Sequence, residues 1–412
     1  VLVEVLSTEE VSKVMRYAYE HCIPVTPRGA GTGLSGGAVP IYGGILLCTE
    51  KMNKILEWDL DTMTVVIEPG VLVMELANAA QEKGVFYPPE PGEKTASVGG
   101  NVMTNAGGMK AVGYGVTRNY VVSMECVMPN GDVMQFGSNV AKNTSGYDIK
   151  DLVIGSEGTL CILTEVTLKL LPAPKLTRTL VMPFESLESC IDMVPRLLQM
   201  PAVPTAIEFL ERELIDIVER NLHKLLPVKE GDAVLIVMYD AGSEQELFAA
   251  CNAASDAALE AGAIDVYIAD TPERIASVWS VRGAILEGMK AESVAQEECD
   301  VVVPRAKIAE YVRLAKAIGA KYGIRVEPCG HAGDGNIHTE MLRDASMSDE
   351  DWIRGTRACL TELYGVSKQF GGQLSGEHGI GNGRLEYLKP FVGDRMYKLY
   401  QSIKLAFDEK LI

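Results

Sequence analysis

Apolar residues along this chain change spacing several times, and the changes mark out its elements. Ser7 with Glu10 three residues on forms a capping box, and VSKVMRYAYEH continues at helical spacing, so a helix is predicted there. Short strands are predicted over 23–26, 45–49 and 64–68, and Pro69-Gly70 turns into a second helix over 72–83. Further strands follow over 121–128, 133–136 and 160–171, with the hairpin signal Asn130-Gly131 between the first two. Pro172 and Pro174 close this block. Beyond about 176 a strand (177–182), a helix (187–198) and a strand (206–210) are followed by a similar set over 233–239, 243–261 and 264–269. Two such passages, each with a helix in the crossover, predict an antiparallel sheet with helices on one face. Thr271-Pro272 caps a helix running through Trp279, Arg282 and Met289. A strand over 301–304, a helix to Tyr322 and a glycine-rich turn come next. From Asp349 the pattern is mainly helical, broken by a turn over 371–383.

At 412 residues the chain exceeds one typical core, so two or three domains are expected. It carries 38 basic against 56 acidic residues, a net charge of −18, which argues against nucleic acid and against an anionic membrane surface. No apolar run approaches the ~18 residues of a membrane span, so no membrane insertion is expected. The opening VLVEVLSTEE does not read as a signal peptide. Nine cysteines stand singly, without C-x-x-C, and read as reduced core residues of a cytoplasmic protein.

The 40 glycines gather before residue 160 and after 329, and the candidate chemistry lies with them. The run PRGAGTGLSGG, Pro27 to Gly37, holds five glycines with Thr32 and Ser35. Consecutive amides without side chains in the way form an anion nest suited to a diphosphate. Gly31-Thr-Gly33-Leu-Ser-Gly36 matches G-x-G-x-x-G, and Glu50 falls where a ribose-binding acid would stand. A Rossmann loop must open a helix, however, and here VPIYGGILLC leads into a strand. The loop is therefore predicted to lie between two strands and to hold phosphate without a helix dipole. A second passage, GEKTASVGGNVMTNAGGMKAVGYG, sets Asn101, Thr104 and Asn105 among glycines, short polar groups suited to a ring system rich in acceptors.

Three of the five histidines sit in glycine-rich segments, CGHAGDGNIH and SGEHGIGNGR. Gly333-Asp-Gly335 can fold the chain back so that His331 and His338 face one space, with Glu377-His378 approaching from a distant segment. Two imidazoles and a carboxylate make a catalytic metal set with open positions, and a further histidine beside it suits a general base.

With these motifs in place, the chain resembles the FAD-linked 2-hydroxy-acid dehydrogenases of the vanillyl-alcohol oxidase / p-cresol methylhydroxylase flavoprotein superfamily. Within it, it is similar to the D-lactate dehydrogenase and glycolate oxidase FAD subunit branch. PRGAGTGLSGG, SVGGNVMTNAGG with Tyr114-Gly115, GYD at 146–148, GSEGTL at 155–160, CGHAGDGNIH and GEHGIG carry the resemblance over essentially the whole chain. It implies an α+β fold: a two-part FAD-binding domain of the p-cresol methylhydroxylase type, a cap domain with an antiparallel sheet covered by helices, and a helical C-terminal segment. The expected bounds are 1–173 for the FAD domain, 174–348 for the cap and 349–412 for a segment returning to the FAD domain. By resemblance, Pro27, Arg28, Gly29, Ala30, Gly31, Thr32, Gly33 and Ser35 hold the FAD diphosphate, with Gly36 and Gly37 close by. Ser97, Gly99, Gly100, Asn101, Thr104, Asn105, Gly107 and Gly108 run along diphosphate and flavin, with Tyr114 and Gly115 beyond them. Glu157, Gly158 and Ile162 pack toward the adenine and ribose. The family's metal ligands fall on His331, His338 and Glu377, its general base on His378, and its substrate-gripping arginine on Arg282.

The implied reaction is oxidation of a short 2-hydroxy acid, D-lactate first and glycolate second, with hydride transfer to flavin N5 and assistance from zinc, manganese or iron. Electrons are expected to pass to a protein acceptor, an electron-transferring flavoprotein or an iron–sulfur subunit. FAD is expected to be non-covalent, since no histidine lies between residues 22 and 222 and the cysteines there sit in apolar runs. Two rivals are a non-catalytic FAD-binding subunit and a flavoenzyme of the alkyl-glycerone-phosphate synthase type. Family members carry a longer N-terminal extension and an Asn-Pro-Gly-Lys-like tail, so the stretch ending at FDEKLI reads as trimmed. Where relatives acting on 2-hydroxyglutarate carry a lysine, Glu298-Cys299-Asp300 places acids, which is expected to repel a second substrate carboxylate.

Overall fold

A computed structural model describes residues 1–412, and the chain divides into two units. The first comprises Val1–Gly108, Gly115–Ala173 and Glu377–Ile412; the second comprises Met109–Tyr114 and Pro174–Gly376.

In the first unit the helix Thr8–His21 begins where its capping box sets it. Ser7 Oγ accepts from Glu10 N, while the Glu10 carboxylate reaches back to Leu6 N at 2.8 Å, one residue before the usual partner. Its buried stripe of Val11, Met15 and Ala18 packs on Ile45, Leu47, Val127 and Ile162. Full burial of such side chains contributes roughly 1.5–3 kcal/mol each. The helix is the crossover of a three-stranded parallel sheet, ordered Leu2–Glu4, Ile45–Cys48, Val25–Arg28. The glycine run leaves the end of Val25–Arg28 and returns as Ile45–Cys48, between two strands as its sequence implies. A five-stranded antiparallel sheet follows, ordered Ile55–Asp59, Thr64–Ile67, Ile162–Lys169, Val121–Val127, Val133–Gly137. The helices Leu385–Val392 and Asp394–Phe407 belong to this unit.

The second unit is built on a seven-stranded antiparallel sheet, ordered Tyr267–Ala269, Leu176–Phe184, Ala233–Ala241, Ala206–Glu211, Arg325–His331, Asn336–Leu342, Gln296–Val302. Helices cover both of its faces, not one. Val181, Val234 and Ile236 join a core with the helices Arg212–Leu222, Pro272–Arg282 and Ile285–Glu292. Their neighbours Leu180, Met182, Leu235 and Val237 are equally buried and point the other way, where Leu187–Leu198 and Glu244–Glu260 pack on the same strands. Continuous rather than alternating burial along Ala233–Ala241 is the mark of a strand covered twice.

Parts of the second unit differ from their sequence reading. Arg212–Leu222 is an additional helix, and it approaches Ile285–Glu292 so closely that a Cβ on Gly288 would lie 3.2 Å from Val218 Cγ2. The single helix expected through Trp279, Arg282 and Met289 is broken at Gly283, making Arg282 the last residue of its helix. The turn expected after Tyr322 is a hairpin of two seven-residue strands, Arg325–His331 and Asn336–Leu342. Asp349–Gln369 packs in the second unit on Ile308–Lys321 and Gln296–Val302, and the chain rejoins the first unit at Glu377.

Candidate functional site

The first unit contains a cavity open to solvent. It is lined by Pro27, Arg28, Gly29, Ala30, Gly31, Thr32, Gly33 and Ser35, by Ser97, Gly99, Gly100, Asn101 and Thr104, by Glu157, Gly158 and Ile162, and by His378. From Gly31 to Ser35 no backbone amide meets a partner within the protein, so a row of donors stands on one loop. The adjacent helix Val98–Thr104 spends its first amides internally: Val98 N on Val71 O, Gly99 N on Pro69 O and Gly100 N on the capping Ser97 Oγ. Anion binding therefore falls to the nest. Ser97 Oγ also accepts from Ala30 N, and a Cβ on Gly29 would lie 2.2 Å from that oxygen, which leaves room for glycine alone. These donors and this room suit a dinucleotide diphosphate. Gly37, Ala38, Thr49, Pro69, Ala96, Met103, Cys161 and Leu163 complete the lining, and of these Ala38, Thr49, Pro69, Cys161 and Leu163 lie outside the quoted motifs.

Two residues expected at the cofactor do something more specific. Ser35 Oγ lies 2.8 Å from His378 O and 3.0 Å from Gly379 O, and Arg384 Nη1 donates to it. The Glu157 carboxylate accepts from Ile380 N at 2.7 Å and Gly381 N at 2.6 Å. Asn382 and Gly383 donate their amides to Ser35 O, and Asn382 Nδ2 donates to Gly36 O. The loop bearing His378 is thus knitted to the phosphate-type loop, and the His378 ring is placed on the cavity wall. Glu377 lies beside it, its Oε1 3.6 Å from His378 Nε2, and its Oε2 would touch a Cβ on Gly107 at 2.9 Å. Gly36, Asn105, Gly107, Gly108 and Gly115 do not line the cavity. Asn105 Oδ1 accepts from Arg118 N instead, and Tyr114, in the second unit, donates to Asp240. Glu50, the false ribose acid, sits on the surface 3.9 Å from Arg28.

The second unit brings His331 and His338 together across the hairpin turn. Their rings stand edge-to-face with Nε2 atoms 3.3 Å apart. Two imidazole nitrogens on one tetrahedral ion, each at ~2.0–2.1 Å, would be separated by ~3.3 Å, so the pair fits a shared ion. His331 Nδ1 lies 2.6 Å from Glu208 Oε1, and Arg282 Nε donates to Glu208 Oε2 at 2.6 Å. Strand register makes the first contact, since Glu208 pairs directly with His331. Burial by itself raises the Glu208 pKa, but the charges of His331 and Arg282 outweigh it and hold the carboxyl below its ordinary value. His338 Nδ1 lies 3.2 Å from Glu298 Oε1 and 3.8 Å from the fully buried Asp300. Asp300 in turn accepts from Asn336 Nδ2, from Ser375 Oγ and from Gly376 N, the residue next in chain to Glu377. Carboxylates on the far nitrogens of two histidines are the usual outer partners of a metal site. Glu208, Glu298 and Asp300 were not read as such from the sequence. Arg282 is committed through Nε to Glu208, so any grip on a substrate falls to its terminal nitrogens.

The fold is of the p-cresol methylhydroxylase type, and the donors of its cavity suit a dinucleotide diphosphate. Residues 173–412 match the family "FAD linked oxidases, C-terminal domain", and residues 1–137 match the "FAD binding domain" family. The chain belongs to the FAD-linked oxidases and is an FAD-dependent oxidoreductase. It is 46% identical to a D-lactate dehydrogenase of Anaerostipes hadrus, covering 100% of this chain and 88% of that one. It is 33% identical to the glycolate oxidase subunit GlcD of Bacillus subtilis, over 98% of this chain and 86% of the relative. A solved structure of p-cresol methylhydroxylase with substrate bound shares the fold, with a TM-score of 0.81 at 19% identity over 99% of this chain and 86% of that one.

Proposed function

We propose that this chain oxidises a short 2-hydroxy acid to the 2-oxo acid, D-lactate in preference to glycolate, and passes the electrons to a protein acceptor. The observation that carries the reading is His378, held on the wall of the cofactor cavity by a loop tied to the nest. The names of the two relatives support the substrate class. FAD, bound without a covalent link, would supply a two-electron acceptor, and a divalent ion held by His331 and His338 would supply the Lewis acidity that lowers the pKa of the substrate hydroxyl. An imidazole nitrogen of His378 takes the hydroxyl proton. The terminal nitrogens of Arg282 hold the substrate carboxylate, a task its planar fork suits. Zinc, manganese and iron all accept two imidazoles and a carboxylate. No helix of the chain is long and apolar enough to cross a membrane. With the −18 net charge this favours a protein acceptor, an electron-transferring flavoprotein ahead of an iron–sulfur subunit.

A dye-linked screen of hydroxy acids is the test: kcat/KM is expected to fall in the order D-lactate, glycolate, 2-hydroxyglutarate. A preference for 2-hydroxyglutarate would refute the assignment of substrate. Glu298, expected from the sequence to repel a second substrate carboxylate, also lies 3.2 Å from His338 Nδ1. As a partner of His338 it orients that imidazole, so Glu298→Lys is expected to lower turnover about 10–100-fold on every hydroxy acid alike. Parallel assays of D-lactate and 2-hydroxyglutarate check this. A selective gain on 2-hydroxyglutarate would return Glu298 to the role of a repulsive wall.

A further inference from the structure

Glu208 touches two groups that the proposed chemistry uses for different purposes. We infer that it is a positioning residue tying the metal-binding histidine pair to the substrate arginine, an inference that rests on the reading above. Its Oε1 lies 2.6 Å from His331 Nδ1 and its Oε2 2.6 Å from Arg282 Nε. Glu208 is fully buried, and the side chains of His331 and Arg282 are only 5% and 12% exposed, so water cannot readily replace a lost partner.

Both contacts are donations to Glu208, and this makes the residue hard to replace. When Nδ1–H donates to Oε1, the hydrogen is kept off Nε2, whose lone pair then faces the Nε2 of His338 at 3.3 Å. The Arg282 Nε–H, donating to the second oxygen, fixes the plane of the guanidinium at the end of its helix. A carboxylate serves both donors at once. A glutamine offers one acceptor and one NH₂ group. It can accept from Arg282 and turn NH₂ toward His331, driving the hydrogen to Nε2, or accept from His331 and turn NH₂ against Arg282. In Glu208→Gln the charged Arg282 wins the acceptor, since hydrogen bonds to charged groups are about twice as strong as neutral ones. The histidine pair should then lose its shared lone-pair geometry.

The test uses the flavin-loaded protein, stripped of metal by a chelator and titrated by calorimetry with Zn²⁺ or Mn²⁺ alone. Wild type is expected to bind one ion and His331→Ala none. Glu208→Gln is expected to bind about 10–100-fold more weakly, with unchanged flavin content. Adding Arg282→Met removes the competing donor and lets the glutamine oxygen return to His331. Metal affinity should then recover toward wild type while the KM for D-lactate stays raised, a split that a merely structural loss would not produce. Glu208→Gln binding as tightly as wild type, or a double variant as weak as the single one, overturns the inference. Should Glu208→Gln fail to fold, Glu208→Asp draws the carboxylate back by one methylene and is expected to show the same loss; wild-type affinity there is equally fatal. If wild type takes up no more ion than His331→Ala, the metal reading itself falls and takes the inference with it.

Discussion

Replacing His378 by alanine is expected to lower turnover on the order of 10²- to 10⁴-fold, the usual share of a general base. The substitution should remove the ring and little else. The loop is held by the backbone carbonyls of His378 and Gly379 on Ser35 Oγ and by the amides of Ile380 and Gly381 on Glu157. None of these contacts involves the imidazole. The glycine nest, with its amides from Gly31 to Ser35, should likewise be undisturbed. Flavin absorbance and melting temperature are therefore expected to match wild type while kcat collapses. Near-normal turnover would remove His378 from the chemistry.

Stripping the proposed metal is expected to reduce turnover about 10²-fold or more, since an ion acting as a Lewis acid contributes several kcal/mol to transition-state stabilisation. Flavin should remain bound, because none of His331, His338 and Glu377 lines the cavity. Adding back zinc, manganese or iron should restore activity, and His331→Ala should resist restoration. Metal content, flavin spectrum and turnover measured on one sample check all of this. Full turnover in protein shown to be free of metal would contradict the assignment of the histidine pair.

The nest and the histidines were legible because glycine runs leave few other readings. What those residues do for one another was not. Ser35 is 343 positions from His378 and Glu157 is 223 from Ile380, so no spacing rule joins them. Glu208 sits in AIEFLE, which reads as an apolar strand with a stray acid. Its partners Arg282 and His331 are 74 and 123 positions away, and only strand pairing and a broken helix bring the three together. The hairpin carrying His331 and His338 was hidden for another reason. Asn336–Leu342 is buried at every position and lacks the alternation that marks a half-exposed strand, while the glycines around Asp334 signal only a turn. Covering the sheet on both faces erased the same signal in Ala206–Glu211 and Ala233–Ala241 without hiding them, since β-branched and aromatic residues remained.

Anaerobic mixing of the flavin-loaded, metal-replete protein with D-lactate tests the central claim most directly. The oxidised flavin absorbance is expected to bleach within a single turnover. The His378→Ala variant is expected to bleach at a rate lower by its full kinetic deficit, and 2-hydroxyglutarate to bleach wild type far more slowly. A wild-type flavin that stays oxidised with D-lactate and with glycolate, in protein holding both cofactor and metal, would contradict 2-hydroxy-acid oxidation by this chain.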